Sequence, residues 1–121
     1  MKHLESKLQS ECVKWFRMQY PKLAMNLFAI PTGGARDVIT GAILKREGVT
    51  AGVADLFLAV PRYKIGGEEF CGGLFIEMKF GAGTQTKEQK AFQQAVEREE
   101  YKYAVCRTVD DFITTIKDYL R

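Results

Sequence analysis

The sequence predicts an α/β fold, a sheet flanked by helices, in the order helix, strand, helix, strand, strand, helix, strand, helix. Three observations carry that expectation. Apolar residues recur at helical spacing near the start, in the last third and at the end of the chain. Between them lie short apolar runs bounded by Pro or Gly, too short to be anything but strands. The two kinds of segment alternate along the chain instead of segregating, which favours one mixed layer structure.

Residues 4–20 form the first expected helix. Leu4, Leu8, Cys12, Trp15 and Met18 recur on one face, and Pro21 stops it. Asn26 to Ile30 reads as a short strand ending at Pro31, and Thr32-Gly33-Gly34 marks a turn. A helix over residues 36–47 ends at Gly48. Gly52-Val53-Ala54 leads into a strand from Asp55 to Val60, which Pro61 closes. Gly66-Gly67 marks the next turn, Leu74 to Phe80 the next strand, and Gly81-Ala82-Gly83 its break. Thr86 to Glu100 reads as a strong helix, Tyr101 to Cys106 as a strand, and Val109 to Leu120 as the closing helix.

Composition narrows the chemistry. The 121 residues suit a single domain spanning 1–121. The longest apolar runs, such as Leu56 to Val60, are far too short to span a bilayer, and Met1 to Glu11 has no signal-peptide core. A cytoplasmic location is expected, with no membrane and no nucleotide cofactor. Cys12, Cys71 and Cys106 are too widely spaced for a zinc knuckle and are expected to be reduced, partly buried thiols. The one histidine, His3, lies beside the terminus, which excludes Ser-His-Asp triads and His-rich metal sites. Chemistry must then come from carboxylates and lysine, and a catalytic metal needs oxygen ligands, as Mg2+ or Mn2+ does. The net charge of +3 permits a nucleic-acid partner without demanding one.

One constellation meets those limits. Side chains alternate along a strand, so Phe75, Glu77 and Lys79 share one face and Leu74, Ile76 and Met78 the other. Glu77 and Lys79 lie roughly 7 Å apart along it. An antiparallel hairpin centred on Gly66-Gly67 sets Asp55 opposite Met78, within one residue of Glu77 and Lys79, although a one-residue slip would exchange faces. Converging carboxylates repel unless a cation lies between them. A divalent metal resolves this with Asp55, Glu77, the backbone carbonyl of Met78 and waters. It would polarise a phosphate and activate water, while Lys79 orients that water or steadies developing charge.

Two further residues are candidates. Glu11 falls among Leu4, Leu8, Trp15 and Met18 and reads either as an edge residue reaching solvent or as a third metal-site carboxylate. Gln89 sits at the third helical position after Thr86, the place a capping box needs, yet also lines up with Phe92 and Val96 on the inward face. Arg36, Lys45 and Arg46 are candidate phosphate contacts, or an ordinary solvated helix face.

In order along the chain, these residues resemble the VRR-NUC family of the PD-(D/E)XK nuclease superfamily. Glu11 stands where that family has an acidic residue in its first helix. Ile30-Pro31-Thr32-Gly33-Gly34 followed by Arg36 is similar to its Pro-Asn-Gly loop, and the block from Gly48 to Leu56 is similar to its Gly-Val-Pro-Asp-Leu segment. Glu77-Met78-Lys79 matches its Glu-X-Lys core, with Gln89 as the later glutamine. Ala54 replaces the proline before the aspartate, and Thr32 the loop asparagine. The resemblance implies a restriction-endonuclease-like mixed sheet flanked by helices. It implies Mg2+- or Mn2+-dependent phosphodiester hydrolysis with Asp55, Glu77, Lys79 and Gln89 as catalytic residues. It also implies a stand-alone protein of phage or bacterial type, working in a bacterial or phage-infected cell, and a homodimer acting on duplex or branched DNA, such as Holliday junctions in DNA repair. Adjacent Trp15 and Phe16 point about 100° apart on a helix, so both are buried only under a wide contact: either the core and a partner surface share it, or the closing helix covers Phe16. The alternative is a non-catalytic nucleic-acid-binding module or an accessory subunit that keeps the fold.

Overall fold

A computed structural model describes residues 2–31, 38–63 and 69–121. The expected turns at Thr32-Gly33-Gly34 and Gly66-Gly67, and Arg36, lie outside the described residues. The elements are α1 (Lys2–Gln19), β1 (Leu27–Ala29), α2 (Val38–Arg46), β2 (Leu56–Leu58), β3 (Arg62–Tyr63), β4 (Phe70–Cys71), β5 (Leu74–Met78), α3 (Lys87–Arg98), β6 (Lys102–Cys106) and α4 (Val109–Leu120). All eight expected elements are present in the expected order. Two features are additional: a 3-10 turn at Pro21–Asn26, which begins where proline ends α1, and the short β3–β4 ribbon.

The main sheet has the order β1-β2-β5-β6. Its first three strands are antiparallel, and β6 runs parallel to β5 after the α3 crossover, so the sheet is mixed. On one face Leu27, Leu56, Leu58, Leu74, Ile76 and Met78 form the core with Leu8, Cys12 and Phe16 of α1 and Phe112 and Ile116 of α4. Each such side chain contributes about 1.5–3 kcal/mol on full burial. The other face is aromatic. Phe57 stacks on Phe75 at 4.4 Å between centroids, and Phe75 meets Phe92 of α3 edge-on at 5.1 Å.

The apolar stripe of α1 differs from the sequence expectation. Its buried residues are Leu8, Cys12 and Phe16, whereas Met18 is 73% exposed. The stripe is thus rotated toward Phe16. Trp15 is nevertheless engaged, edge-on to Phe112 of α4 and to Tyr20. Phe16 is buried and Trp15 is half-buried, and both find partners inside the chain. All three cysteines are free and buried. Among the described residues no helix is long and apolar enough to cross a membrane.

The hairpin register carries the correction that matters most for the site. In the outer ribbon Arg62 faces Cys71 and Tyr63 faces Phe70, the register expected from the sequence. In the inner ladder Leu56 faces Ile76, Phe57 faces Phe75 and Leu58 faces Leu74. The two registers differ by one residue, because residues 59–61 on one side answer only residues 72–73 on the other. This offset has the character of a β-bulge. Continued one step past Leu56, the inner register sets Asp55 opposite Glu77, not Met78, and so on the same face as Glu77.

Candidate active site

Asp55 immediately precedes β2 and is held at both ends. Its carbonyl accepts a 2.9 Å hydrogen bond from the Ile30 amide, just beyond β1. Its Oδ2 accepts a 2.6 Å hydrogen bond from the Met78 amide of β5. In an extended strand the N–H and C=O of one residue point the same way. The Met78 carbonyl is therefore turned toward the Asp55 side as well. The loop before Asp55 is braced on α3. Gly52 has φ +88°, and a Cβ there would lie 2.3 Å from the Glu88 carbonyl oxygen.

Glu77 is 1% exposed, the one charged residue in the core among the described residues. It is not a solvated strand position. Its Oε1 accepts hydrogen bonds from the Tyr103 hydroxyl of β6 and, at 3.1 Å, from Gln85 Nε2. Its Oε2 is buried with no hydrogen-bond partner among the described residues. The nearest cation is Lys79 Nζ, 3.7 Å from Oε2 and 13% exposed at its side chain. Lys79 lies beyond the end of β5, yet its amide still donates to the Cys106 carbonyl at 3.0 Å, which keeps it in register with β6.

The electrostatics follow from that crowding. Burial pushes the Asp55 carboxyl above its ordinary value, and the charges of Glu5 and Glu77 push it further; the Met78 hydrogen bond and Lys79 oppose the rise. Two carboxylates thus face each other at the strand ends with one lysine beside them, and a buried carboxylate oxygen lacks a donor. A divalent cation of the hard, oxygen-seeking kind fits this donor set. Among the described residues no group of three Asp, Glu, His or Cys side chains is gathered tightly enough to form a full protein cage. Two carboxylates, a carbonyl and waters are the ordinary shell of Mg2+, which keeps much of its hydration.

Two of the candidate residues from sequence do not join this cluster. Glu11 is exposed, and its charge bears on Cys12. At about 100° per residue it lies roughly 100° from Cys12, the centre of the stripe formed by Leu8, Cys12 and Phe16. Glu5 falls near the centre of that stripe, and it is the α1 carboxylate whose charge bears on Asp55. Gln89 closes the capping box of α3: its Oε1 accepts from the Thr86 amide at 2.8 Å, and its own amide donates to Thr86 Oγ1. The glutamine that reaches Glu77 is Gln85, in the loop before the helix. Lys45 and Arg46 lie exposed in the last turn of α2.

Glu5, Gln85 and Tyr103 were thus missed. The signal for Glu5 was present, since spacing from Leu8, Cys12 and Phe16 selects it once Phe16 is chosen over Met18. Tyr103 pairs with Phe75 in the parallel register and so shares the face of Glu77, a relation no local pattern reveals. Gln85 lies in a loop and carries no periodic signal.

No family model and no curated protein matches this chain. A solved structure described as a VRR_NUC domain protein does match, with 28% identity and a TM-score of 0.79, over 96% of this chain and 87% of that one. The shared backbone covers nearly all of the chain, and the Asp55 and Glu77-Met78-Lys79 elements meet at its centre; in fold, and over nearly its whole length, the chain is similar to a VRR_NUC domain protein.

Proposed function

We propose that this protein is a divalent-metal-dependent DNA endonuclease with its active site at Asp55, Glu77 and Lys79. The observation that carries this reading is the buried Oε2 of Glu77, which has no hydrogen-bond partner among the described residues and stands 3.7 Å from Lys79 Nζ. Asp55, Glu77 and the Met78 carbonyl would hold Mg2+ or Mn2+, with Glu5 contributing charge from α1. The bound ion supplies Lewis acidity to the scissile phosphate and lowers the pKa of a water. Lys79 places a positive charge where negative charge builds on the phosphate oxygens. Asp55 is held by Met78 and Ile30, so its position is fixed before substrate arrives, which lowers the reorganisation that catalysis would otherwise require.

The substrate preference we favour is branched DNA, cut by a homodimer. One chain carries one such site and hydrolyses one strand at a time, whereas a two-fold dimer presents two sites to symmetry-related strands. This support is independent of Trp15 and Phe16, which are used within the chain.

The test is a labelled panel of linear duplex, flap, splayed arm and four-way junction, with Mg2+, with Mn2+ and with excess chelator. Cleavage should require metal and be lost in Glu77→Ala. Undiminished cleavage in chelator refutes the metal role. Light scattering should show twice the 13.7 kDa chain mass, and a monomer that makes paired cuts refutes the dimer.

A further inference from the structure

We propose that Tyr103 and Gln85 are positioning residues that clamp the Glu77 carboxylate by one oxygen and so present the other, alone, to a divalent cation. The proposal rests on the nuclease reading above and names how this chain prepares its buried carboxylate.

The geometry is asymmetric. Both donors, the Tyr103 hydroxyl and Gln85 Nε2, converge on Oε1, and neither touches Oε2. A carboxylate oxygen has about two lone-pair sites in its plane, so Oε1 is fully used. Rotation about the terminal torsion of glutamate is otherwise broad and close to two-fold. Two donors on one oxygen remove that freedom and fix which oxygen faces Lys79. Glu77 is thereby restricted to ligation through a single oxygen.

The donors are themselves fixed. The Tyr103 ring lies 6.3 Å from Phe92 of α3, and its strand position is set by pairing with Phe75. Gln85 Nε2 also donates to Gln93 Oε1 at 2.8 Å, and Gln93 Nε2 donates to Glu97 Oε2 at 3.2 Å. That relay along α3 settles the orientation of the Gln85 amide, since only Nε2 outward satisfies both acceptors. The clamp therefore joins β6 on one side to α3 on the other, and Glu77 is the point where they meet. Partners of this kind, one bond removed from a metal, commonly alter affinity or activity by about 10–100-fold when deleted.

The experiment is calorimetric titration of Mn2+ into the metal-free full-length protein, alongside DNA cleavage and thermal melting. Tyr103→Phe keeps the ring and removes only the hydroxyl; Gln85→Ala removes the second donor; Thr108→Ala is the control, removing only the cap that accepts from the Asp111 amide at the start of α4. Tyr103→Phe and Gln85→Ala should each weaken Mn2+ binding by about tenfold. Their cleavage should recover in part at high Mn2+. Thr108→Ala should lose some thermal stability and keep wild-type Mn2+ affinity. Unchanged or tighter Mn2+ binding in both Tyr103→Phe and Gln85→Ala overturns the clamp, whatever happens to their melting temperatures. Should Tyr103→Phe fail to fold, Gln85→Ala in its exposed loop decides the matter by itself. A wild-type protein that neither binds Mn2+ nor cleaves DNA overturns the nuclease reading and the clamp with it, an outcome distinct from a wild type that binds while the variants bind equally.

Discussion

Gly52→Ala should be the most damaging single-methyl change near the site. Two separable terms set its magnitude. At φ +88° a residue with a Cβ is strained by about 1–2 kcal/mol. The added Cβ would also lie 2.3 Å from the Glu88 carbonyl oxygen, 2.4 Å from its carbon and 2.9 Å from the Gln89 nitrogen. All three are backbone atoms at the start of α3, so no flexible side chain can swing aside. Overpacking of this kind costs about 1–3 kcal/mol more. Gly81→Ala supplies the internal control: its φ is +75°, and nothing lies within 4 Å of the position a Cβ would take. It should show the conformational term alone. Urea denaturation followed by the fluorescence of Trp15, the one tryptophan, measures both. Gly52→Ala should be less stable than Gly81→Ala by the contact term and should cleave DNA more slowly, because the loop that carries Asp55 is pushed off α3. Equal stability of the two variants would refute the claim that the loop is braced there.

Other expectations concern charge. Asp55→Asn should stabilise the metal-free protein while abolishing cleavage. Burial raises the Asp55 pKa above its ordinary 3.8, so the native state holds the proton more tightly than the unfolded chain, and native stability falls as pH rises from about that value through the raised one. Asparagine removes this loss and keeps an oxygen for the Met78 amide, so the melting temperature should rise at neutral pH and its pH dependence flatten; a lower melting temperature at every pH sinks the idea. Glu5→Gln should weaken Mn2+ binding or turnover and Glu11→Gln should not, as titration calorimetry and cleavage at limiting Mn2+ would report; the opposite ranking restores Glu11 to the site.

How much of this was legible in the sequence depended on how local each signal was. Element order was readable because Pro21, Pro61 and the glycine turns punctuate periodic segments. The pairing of Glu77 with Phe75 on one face followed from alternation alone. Residues whose roles depend on rotation about a helix axis were less secure. A stripe drawn through Met18 instead of Phe16 turned α1 far enough to exchange Glu5 for Glu11. Tyr103 and Gln85 were invisible because their partner, Glu77, is distant in sequence or reached from a loop. For Gln89 the local pattern supported two roles, and the side chain makes the cap hydrogen bonds.

The one-residue offset in the hairpin links these points, because the active face depends on it. Were the register of β3 and β4 to continue inward, Asp55 would oppose Met78, a core residue, and would point away from Glu77. Residues 59–61 prevent this by inserting one residue more than their opposite side supplies. An inserted residue ordinarily leaves backbone groups unpaired. Here they are taken up from outside the hairpin. The Ala59 amide donates to the Asn26 carbonyl at 2.8 Å, the Asn26 side chain donates back to the Ala59 carbonyl at 3.0 Å, and the Tyr119 hydroxyl donates to the Val60 carbonyl at 2.6 Å. On the opposite side, Gly73 lets the sheet stay close: a Cβ there would fall 2.5 Å from the Phe57 ring. Asn26 and Tyr119 touch neither carboxylate, yet they satisfy the stretch that turns Asp55 onto the face of Glu77. The Glu-X-Lys motif marks where the charges are; the offset, and the residues that stabilise it, determine that they face one another.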